Sequence, residues 1–455
     1  MTAPGPPDHA TWAGGPLGRY AVRARGIDRH LLGSVPLAAG AALVVVGSLL
    51  RLQSCFAGGW TGDRPIARMC STQLADAISL DGIGRGLTAY LSGEVRLDQP
   101  PLSGILLTTL AGLVRSQNVL TAQRALVLAV AVLSVLMLTV MARRVAQVPG
   151  ADATAVVLAP VLVLTVLTGP DLLGVALATL GLCAFLARRS TAAGLLLGAA
   201  VMAGSIAGVM VGVLLLLVLL DEGRSSSVLR PLLSGLAGGV VAVALPFAFH
   251  PGLLVAHWRN WWHLPTGLGS PWHLPALAGV GVPVWVATLL AVLGWIAAAC
   301  LVALLTSWRP RPSPAALALA AVAVVLVTGK SFPVVASLWL VPLVALAGVR
   351  WRDHLVWAGC EAAHFVALNL HLSAAAHPTK GLPAGWYAVF VLLRIAGIAW
   401  LVYSAMPARE QRPLSHAAIS AEGETTGTLG RLPDGCGQPT SAVGDAAYPP
   451  VTEGP

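Results

Sequence analysis

Charge is what this sequence has least of. Asp, Glu, Lys and Arg together make up 10% of its 455 residues, while hydrophobic residues make up 56%. An ordinary soluble domain carries roughly 25% charged residues. A water-soluble fold of this length would lack the charge to cover its surface. That excludes a soluble enzyme, a disordered chain and a fibrous repeat, and leaves a polytopic membrane protein. Lysine is nearly missing: of 28 basic residues only Lys330 and Lys380 are lysines. The arginines come in pairs between apolar runs, which suits membrane orientation and not nucleic-acid binding. Aromatics are sparse at 6%, yet Trp (14) is twice as common as Phe (7), and Trp favours the membrane–water interface. No GxxxxGK[ST], GxSxG or HExxH occurs. The first absence argues against ATP-driven transport within the chain, the others against two hydrolase classes.

What is present is a series of apolar runs. Residues 1–30 read as a cytoplasmic N-terminal segment, Pro/Gly-rich as far as Gly18 and then basic through Arg19, Arg23, Arg25 and Arg29. The run Leu31–Leu50 follows without a clean small-residue cleavage site and reads as a retained first helix with its N-terminus in the cytoplasm. Residues 51–121 form a long first extracytoplasmic loop, and Pro101–Val114 inside it is too short to span, so it reads as an interfacial or re-entrant helix. Spanning runs follow at 122–142, 153–168 and 171–187. The stretch 191–221 has basic flanks on both sides and reads as two half-helices broken near Gly204–Gly208. Further runs lie at 229–248, 283–306, 313–329, 333–349, 353–373 and 384–405. The expectation is an all-α integral membrane protein, a bundle of about 12 transmembrane helices over 31–405, in the plasma membrane with both termini cytoplasmic. Seventeen of the 28 basic residues then fall on the inner side, as the positive-inside rule asks. The tail 406–455, rich in Pro, Gly, Ser, Thr and Ala, reads as disordered and cytoplasmic.

This topology sorts polar chemistry by side. Asp63, Asp76, Asp81, Glu94 and Asp98 fall in the first outer loop, and Asp171 in the hairpin Thr168-Gly169-Pro170-Asp171. The loop 250–282 brings His257-Trp258-Arg259-Asn260-Trp261-Trp262 and Gly269-Ser270-Pro271-Trp272, and a fourth link brings Gly329-Lys330-Ser331-Phe332-Pro333. A site on the outer face competes here with ordinary loop polarity. Histidines 250, 257, 263 and 273 show no metal-type spacing and read as solvated interfacial residues. The tryptophans read first as an aromatic anchor and second as a sugar- or lipid-stacking surface. Cys55 and Cys70 share the oxidising side, where a disulfide is expected. Within the bilayer, Glu361 and His364 lie three apart on one helix face and Arg394 lies on the next helix. A Glu361–Arg394 pair locking the two helices is the preferred reading, and a proton or substrate relay the alternative.

These segments resemble the multi-pass actinobacterial glycosyltransferases of the GT-C type that use polyprenol-phosphate sugars, in particular the family 87 mannosyltransferases. The likeness rests on Cys55, Cys70-Ser71-Thr72-Gln73, Arg85-Gly86-Leu87, Asp98-Gln99-Pro100-Pro101-Leu102-Ser103-Gly104, Gly169-Pro170-Asp171-Leu172 and Gly269-Ser270-Pro271-Trp272. It continues through Gly329-Lys330-Ser331-Phe332-Pro333, Leu338-Trp339-Leu340-Val341-Pro342-Leu343, Glu361-Ala362-Ala363-His364-Phe365 and Leu393-Arg394-Ile395. It covers most of 31–405. The departures are Gln73 where the family carries Asp, Gly204-Ser205-Ile206-Ala207 where it carries Lys-x-x-Pro, and Val334 where it carries Gln.

The resemblance implies a GT-C-like bundle that moves a sugar, mannose first among candidates, from a polyprenyl-phosphate donor to a cell-envelope lipid or glycan at the outer face. Such transfer needs a carboxylate to take the acceptor's proton, cations for the departing phosphate, and a groove for the lipid. Asp98 is the expected base, with Asp171 second; capping a helix is the competing role for both. Lys330, assisted by Arg259 or Arg85, is the expected phosphate contact. Trp258, Trp262, Ser270 and Trp272 are expected in the substrate groove. The expected partners are the bilayer, the polyprenyl-phosphate sugar and a glycolipid or glycan acceptor, with no nucleic acid, no metal and no certain cofactor. Because Gln73 cannot act as a base, a catalytically inactive subunit of envelope assembly stays open, as does a flippase or other transporter of lipid-linked sugars.

Overall fold

Backbone polar groups in so apolar a chain must pair within their own segment or be covered by protein. Among the described residues every regular element is accordingly an α-helix or a short 3-10 turn. The structure, a computed structural model, describes residues 34–79, 81–114, 116–220, 225–308, 310–374 and 381–407. The expected N-terminal segment 1–30, nearly all of the expected tail, and Lys380 lie outside these residues.

Helix α1 (Ser34–Gly58) leads into the expected first loop, which holds α2 (Arg64–Ala67), α3 (Gln73–Ser79), α4 (Leu87–Leu91) and α5 (Pro101–Leu113). Then come α6 (Val119–Val145), α7 (Thr154–Val157), α8 (Pro160–Thr165), α9 (Leu172–Leu186), α10 (Ser190–Ala203), α11 (Ala207–Leu219) and α12 (Ser225–Ala244). A second loop region carries α13 (Gly252–His263) and α14 (Leu274–Leu277). The chain continues with α15 (Val284–Thr306), α16 (Pro314–Thr328), α17 (Val341–Ala347), α18 (Trp351–Ser373) and α19 (Ala384–Ala405).

Five of these, α1, α6, α12 with the turn that follows it, α15 and α19, run for 22–27 residues and are apolar enough to cross a membrane. At 1.5 Å per residue each exceeds the roughly 30 Å of a hydrocarbon core. Large apolar side chains stand exposed along them: Leu128, Val132 and Leu136 on α6, Trp285, Leu289, Leu293 and Ile296 on α15, and Trp386, Val389 and Leu392 on α19. Water would not tolerate surfaces of this extent; lipid does. The protein is a helical membrane protein.

Sequence-local chemistry sets several boundaries. Asn118 caps α6 by accepting from the Thr121 N–H at 3.1 Å, and Ser313 caps α16 through the Ala316 N–H ahead of Pro314. Hydroxyls inside apolar helices bond back one turn, as Ser134 does to Val130 O and Thr179 to Val175 O, so they bury no free donor. The stretch 191–221 is indeed two helices, α10 and α11, separated at Gly204–Ile206.

The runs 153–168 and 333–349, expected as continuous helices, are each broken. Pro160 starts α8 and holds Ala159 extended, because the residue before a proline is disfavoured in the helical region. The second run is a 3-10 helix, Val334–Trp339, followed by α17 with Pro342 in its first turn. Every residue from Val334 to Leu346 is buried. Irregular backbone at this depth is tolerated where protein covers it. At the α10/α12 crossing, Cβ atoms on Gly194, Gly198, Gly235 or Gly239 would each lie 2.2–2.3 Å from a backbone oxygen of the facing helix. The small-xxx-small spacing of these glycines lets two backbones touch.

Candidate functional site

Asp98 is set by its neighbours in sequence. Pro100 is extended and Pro101 opens α5, so the carboxyl is carried on a stiff approach to the helix. On α13, His257 and Asn260 lie three residues apart and share a face. Asn260 Nδ2 donates to Asp98 Oδ2 at 2.9 Å, and His257 Nδ1 lies 3.2 Å from Asp98 Oδ1. The His257 hydrogen bond is the largest influence and, with Asn260, holds the carboxyl below its ordinary value against burial, the second largest, which pushes it up. Asp98 caps no helix.

Asp171 stands at the N-cap of α9 but makes no side-chain cap bond. Its carboxyl and the Gln73 amide both flank Gly169: a Cβ added there would lie 2.9 Å from Gln73 Oε1 and 3.0 Å from Asp171 Oδ2, so glycine leaves room for both side chains. The segments are knit here by Gln73 N–H to Thr168 O and by the Thr72 hydroxyl to Leu167 O. Trp339, from the buried 3-10 helix, fills the slot between Gly174 and Gly204. Its indole N–H has no geometric hydrogen-bond partner, yet lies near enough to act on Asp171. Burial pushes the Asp171 carboxyl above its ordinary range, and its own backbone N–H, Trp339 and His257 pull it partly back.

His257 bonds Asp98 and, when protonated, its charge also reaches Asp171. The series extends further, since Asp81 is raised by burial and by the charge of Asp98, and Asp76 by burial and by Asp81. Among the described residues no three His, Cys, Asp or Glu side chains are grouped to hold a metal ion.

Lys330, expected at a phosphate, is engaged elsewhere. It is 2% exposed, and its Nζ donates to the carbonyls of Trp261, Trp262 and Leu264 at 2.9, 3.0 and 3.3 Å. It also lies 4.5 Å above the Trp261 ring. All three ammonium hydrogens are used to close the C-terminal end of α13, whose last carbonyls have no helical partner. Ser270 and Trp272 likewise serve this junction. The Ser270 hydroxyl donates to Gly329 O and accepts from the Trp272 N–H, and the Trp272 indole donates to Thr328 O. The two loops thus form one unit that fixes the position of α13.

Of the other expected residues, Trp258 is half-buried with its ring edge-on to His257, Trp262 is 50% exposed, and Arg259 is exposed on the same helix. Arg85 pairs with Glu94 at 3.8 Å. Both residues line an open pocket of about 580 Å³ with Gly84, Thr88, Ala89 and Ser92. Cys55 and Cys70 form a disulfide that ties the end of α1 to the loop, beside a Trp60 indole N–H bonded to Cys70 O.

Glu361 and Arg394 form a fully buried ion pair between α18 and α19, with Arg394 Nε 2.9 Å from Oε2. The rest of the guanidinium is spent on Phe332 O, Pro333 O and the Ser337 hydroxyl. Gly269, at φ +81°, is the residue whose missing side chain allows this approach: a Cβ there would press on Phe332 O and on Arg394 Nη1. His364 is buried against Tyr387, and neither ring nitrogen has a partner.

Three residues at the centre of this arrangement were named in the sequence but given no site role there: His257, Asn260 and Trp339. The i, i+3 spacing of the first two on an amphipathic segment was visible; that Asp98 faces them was not. Comparison with known protein families, with curated proteins and with solved structures finds no match.

Proposed function

We propose that this membrane protein is a glycosyltransferase of the outer membrane face. It transfers a sugar, mannose first among candidates, from a polyprenyl-phosphate donor to a cell-envelope lipid or glycan. The finer topology belongs to the same proposal: about twelve passes in a plasma membrane, both termini cytoplasmic, the long first loop outside. The observation that supports the reading most is the convergence of Asp98, Asp171, Gln73, His257 and Asn260 from four segments far apart in sequence. A site for sugar transfer needs just such proton-handling groups beside a lipid-accessible surface. Phe249, Val255 and Trp262, exposed on and beside α13, offer apolar contact for a polyprenyl chain. Arg259, exposed on α13, is the cation offered to the phosphate; Arg85, the other expected contact, is paired with Glu94.

One observation favours a second reading. Gln73 stands beside Asp171 where the family carries a carboxylate, and an amide accepts no proton, so an inactive envelope-assembly subunit is the alternative. A transporter finds less support, because the buried charges Glu361 and Arg394 are bonded to each other.

The test is to incubate the purified protein with radiolabelled polyprenyl-phosphate mannose and candidate lipid or glycan acceptors, beside Asp98→Asn and Asp171→Asn. Transfer by the wild type that falls in the variants supports the reading. Transfer that survives both substitutions refutes the site, and no transfer with any polyprenyl-phosphate sugar refutes the enzyme.

A further inference from the structure

The bond between Asp98 and His257 has a direction. Asp98 is held in its ionised form by two donors, and an ionised carboxylate only accepts hydrogen bonds. The nitrogen facing it, Nδ1, must therefore carry a hydrogen. A neutral imidazole has one N–H, so the Nε2 lone pair is bare. An isolated histidine prefers the opposite tautomer; a carboxylate at Nδ1 selects this one and leaves Nε2 as a base.

The rest of the arrangement holds this pair in place. Asn260 occupies the second Asp98 oxygen, so the carboxylate has both oxygens engaged and is a poor proton acceptor itself. Pro100 and Pro101 stiffen the approach of Asp98. Lys330 fixes the far end of α13, one turn beyond His257. The imidazole side chain is 23% exposed and its Asp98 partner 54% exposed, so the pair stands at the surface, open to a substrate, with the ring oriented by the carboxylate.

We infer that the His257 imidazole, oriented through Nδ1 by Asp98, is the group that takes the proton from the incoming hydroxyl. This rests on the transferase reading. In the step, the acceptor O–H gives its proton to His257 Nε2, and the oxygen forms the new bond to the anomeric carbon of the sugar. The bond from that carbon to the phosphate oxygen breaks, and its electron pair leaves on the polyprenyl phosphate. The imidazolium is stabilised by Asp98 and then releases its proton to water. Asp98 is thereby a positioning residue, and Asp171, beside Gln73, is a separate acidic group of the site.

Two measurements test this. In the transfer assay, His257→Gln, which can still bond Asp98, is expected to lose roughly 10²–10⁴-fold in rate. Asp98→Ala is expected to lose rate in the wild-type background and nothing further in His257→Gln. Unchanged transfer in His257→Gln overturns the inference while leaving the transferase reading intact, whereas absence of transfer in the wild type refutes that reading itself. The second measurement needs no activity: ¹⁵N NMR of histidine-labelled protein at alkaline pH, with His257→Gln identifying the signal. The Nδ1–H tautomer in wild type, replaced by Nε2–H in Asp98→Ala, is the expected result. An Nε2–H tautomer in the wild type overturns the inference whatever the assay shows.

Discussion

Replacing Arg394 by Met removes the centre of a buried polar network that joins α18, α19 and the segment Phe332–Ser337. Arg394 is 0% exposed, as is Glu361. Its Nε lies 3.1 and 2.9 Å from the two Glu361 oxygens, and its remaining donors reach Phe332 O, Pro333 O and Ser337 Oγ. In Arg394→Met, Glu361 keeps one hydrogen bond, from the Trp357 indole at 3.2 Å, and is left as a buried carboxylate without a counter-charge. Breaking a buried pair in this way costs about 3–5 kcal/mol, a factor of roughly 10²–10⁴ in the folding equilibrium constant. The double variant Arg394→Met/Glu361→Leu removes the orphaned charge and is expected to regain a substantial part of that loss, because the pair owes much of its apparent strength to the penalty of separating its members. Thermal unfolding in detergent, followed by tryptophan fluorescence, reads both effects. Trp339 and Trp357 are buried beside the network and report its collapse. The reasoning is refuted if Arg394→Met costs less than about 1 kcal/mol, or if the double variant is no more stable than the single one.

Three further outcomes can be checked with the same preparations. Lys330→Met keeps the bulk of the side chain but removes three hydrogen bonds to the end of α13, each worth on the order of 1.5–3 kcal/mol when the donor is charged; Trp261 and Trp262 emission should shift red and quencher access rise, whereas an unchanged spectrum would mean that the ammonium does not hold this helix end. Asp171→Asn should stabilise the protein near neutral pH: the folded-state pKa is raised by burial, so the ionised carboxyl opposes folding above that value, and the advantage of the variant should vanish as pH falls below the unfolded value. A stability gain that instead persists in acid would refute the burial argument. Gly239→Val puts a side chain against Leu195 O, 2.2 Å from the added Cβ, and should separate α10 from α12 at a cost of about 2 kcal/mol or more; wild-type melting of this variant would exclude the backbone contact.

Much of the fold was legible because it depends on composition and local chemistry. The scarcity of charge alone required a membrane protein, and the glycines at 204–208 marked the break between α10 and α11, whereas the break at Pro160 and the cap at Ser313 came from the structure. Even the buried pair could be paired on paper, since two opposite charges in adjacent apolar helices have few other partners. The expected continuous helices at 153–168 and 333–349 misled because hydropathy does not register where a buried chain is allowed to break.

The site divides differently. Sequence alone picked out candidate residues and, through the arginine pattern, an expectation of which of them share a side. It could not assign their work, because that depends on what each charged atom meets. Lys330, expected at a phosphate, has its hydrogens on three carbonyls, and the oxygens of Asp98, the expected base, meet His257 and Asn260. Contacts between residues 66–69 and 159–162 positions apart are products of helix packing, and only the tertiary structure decides them.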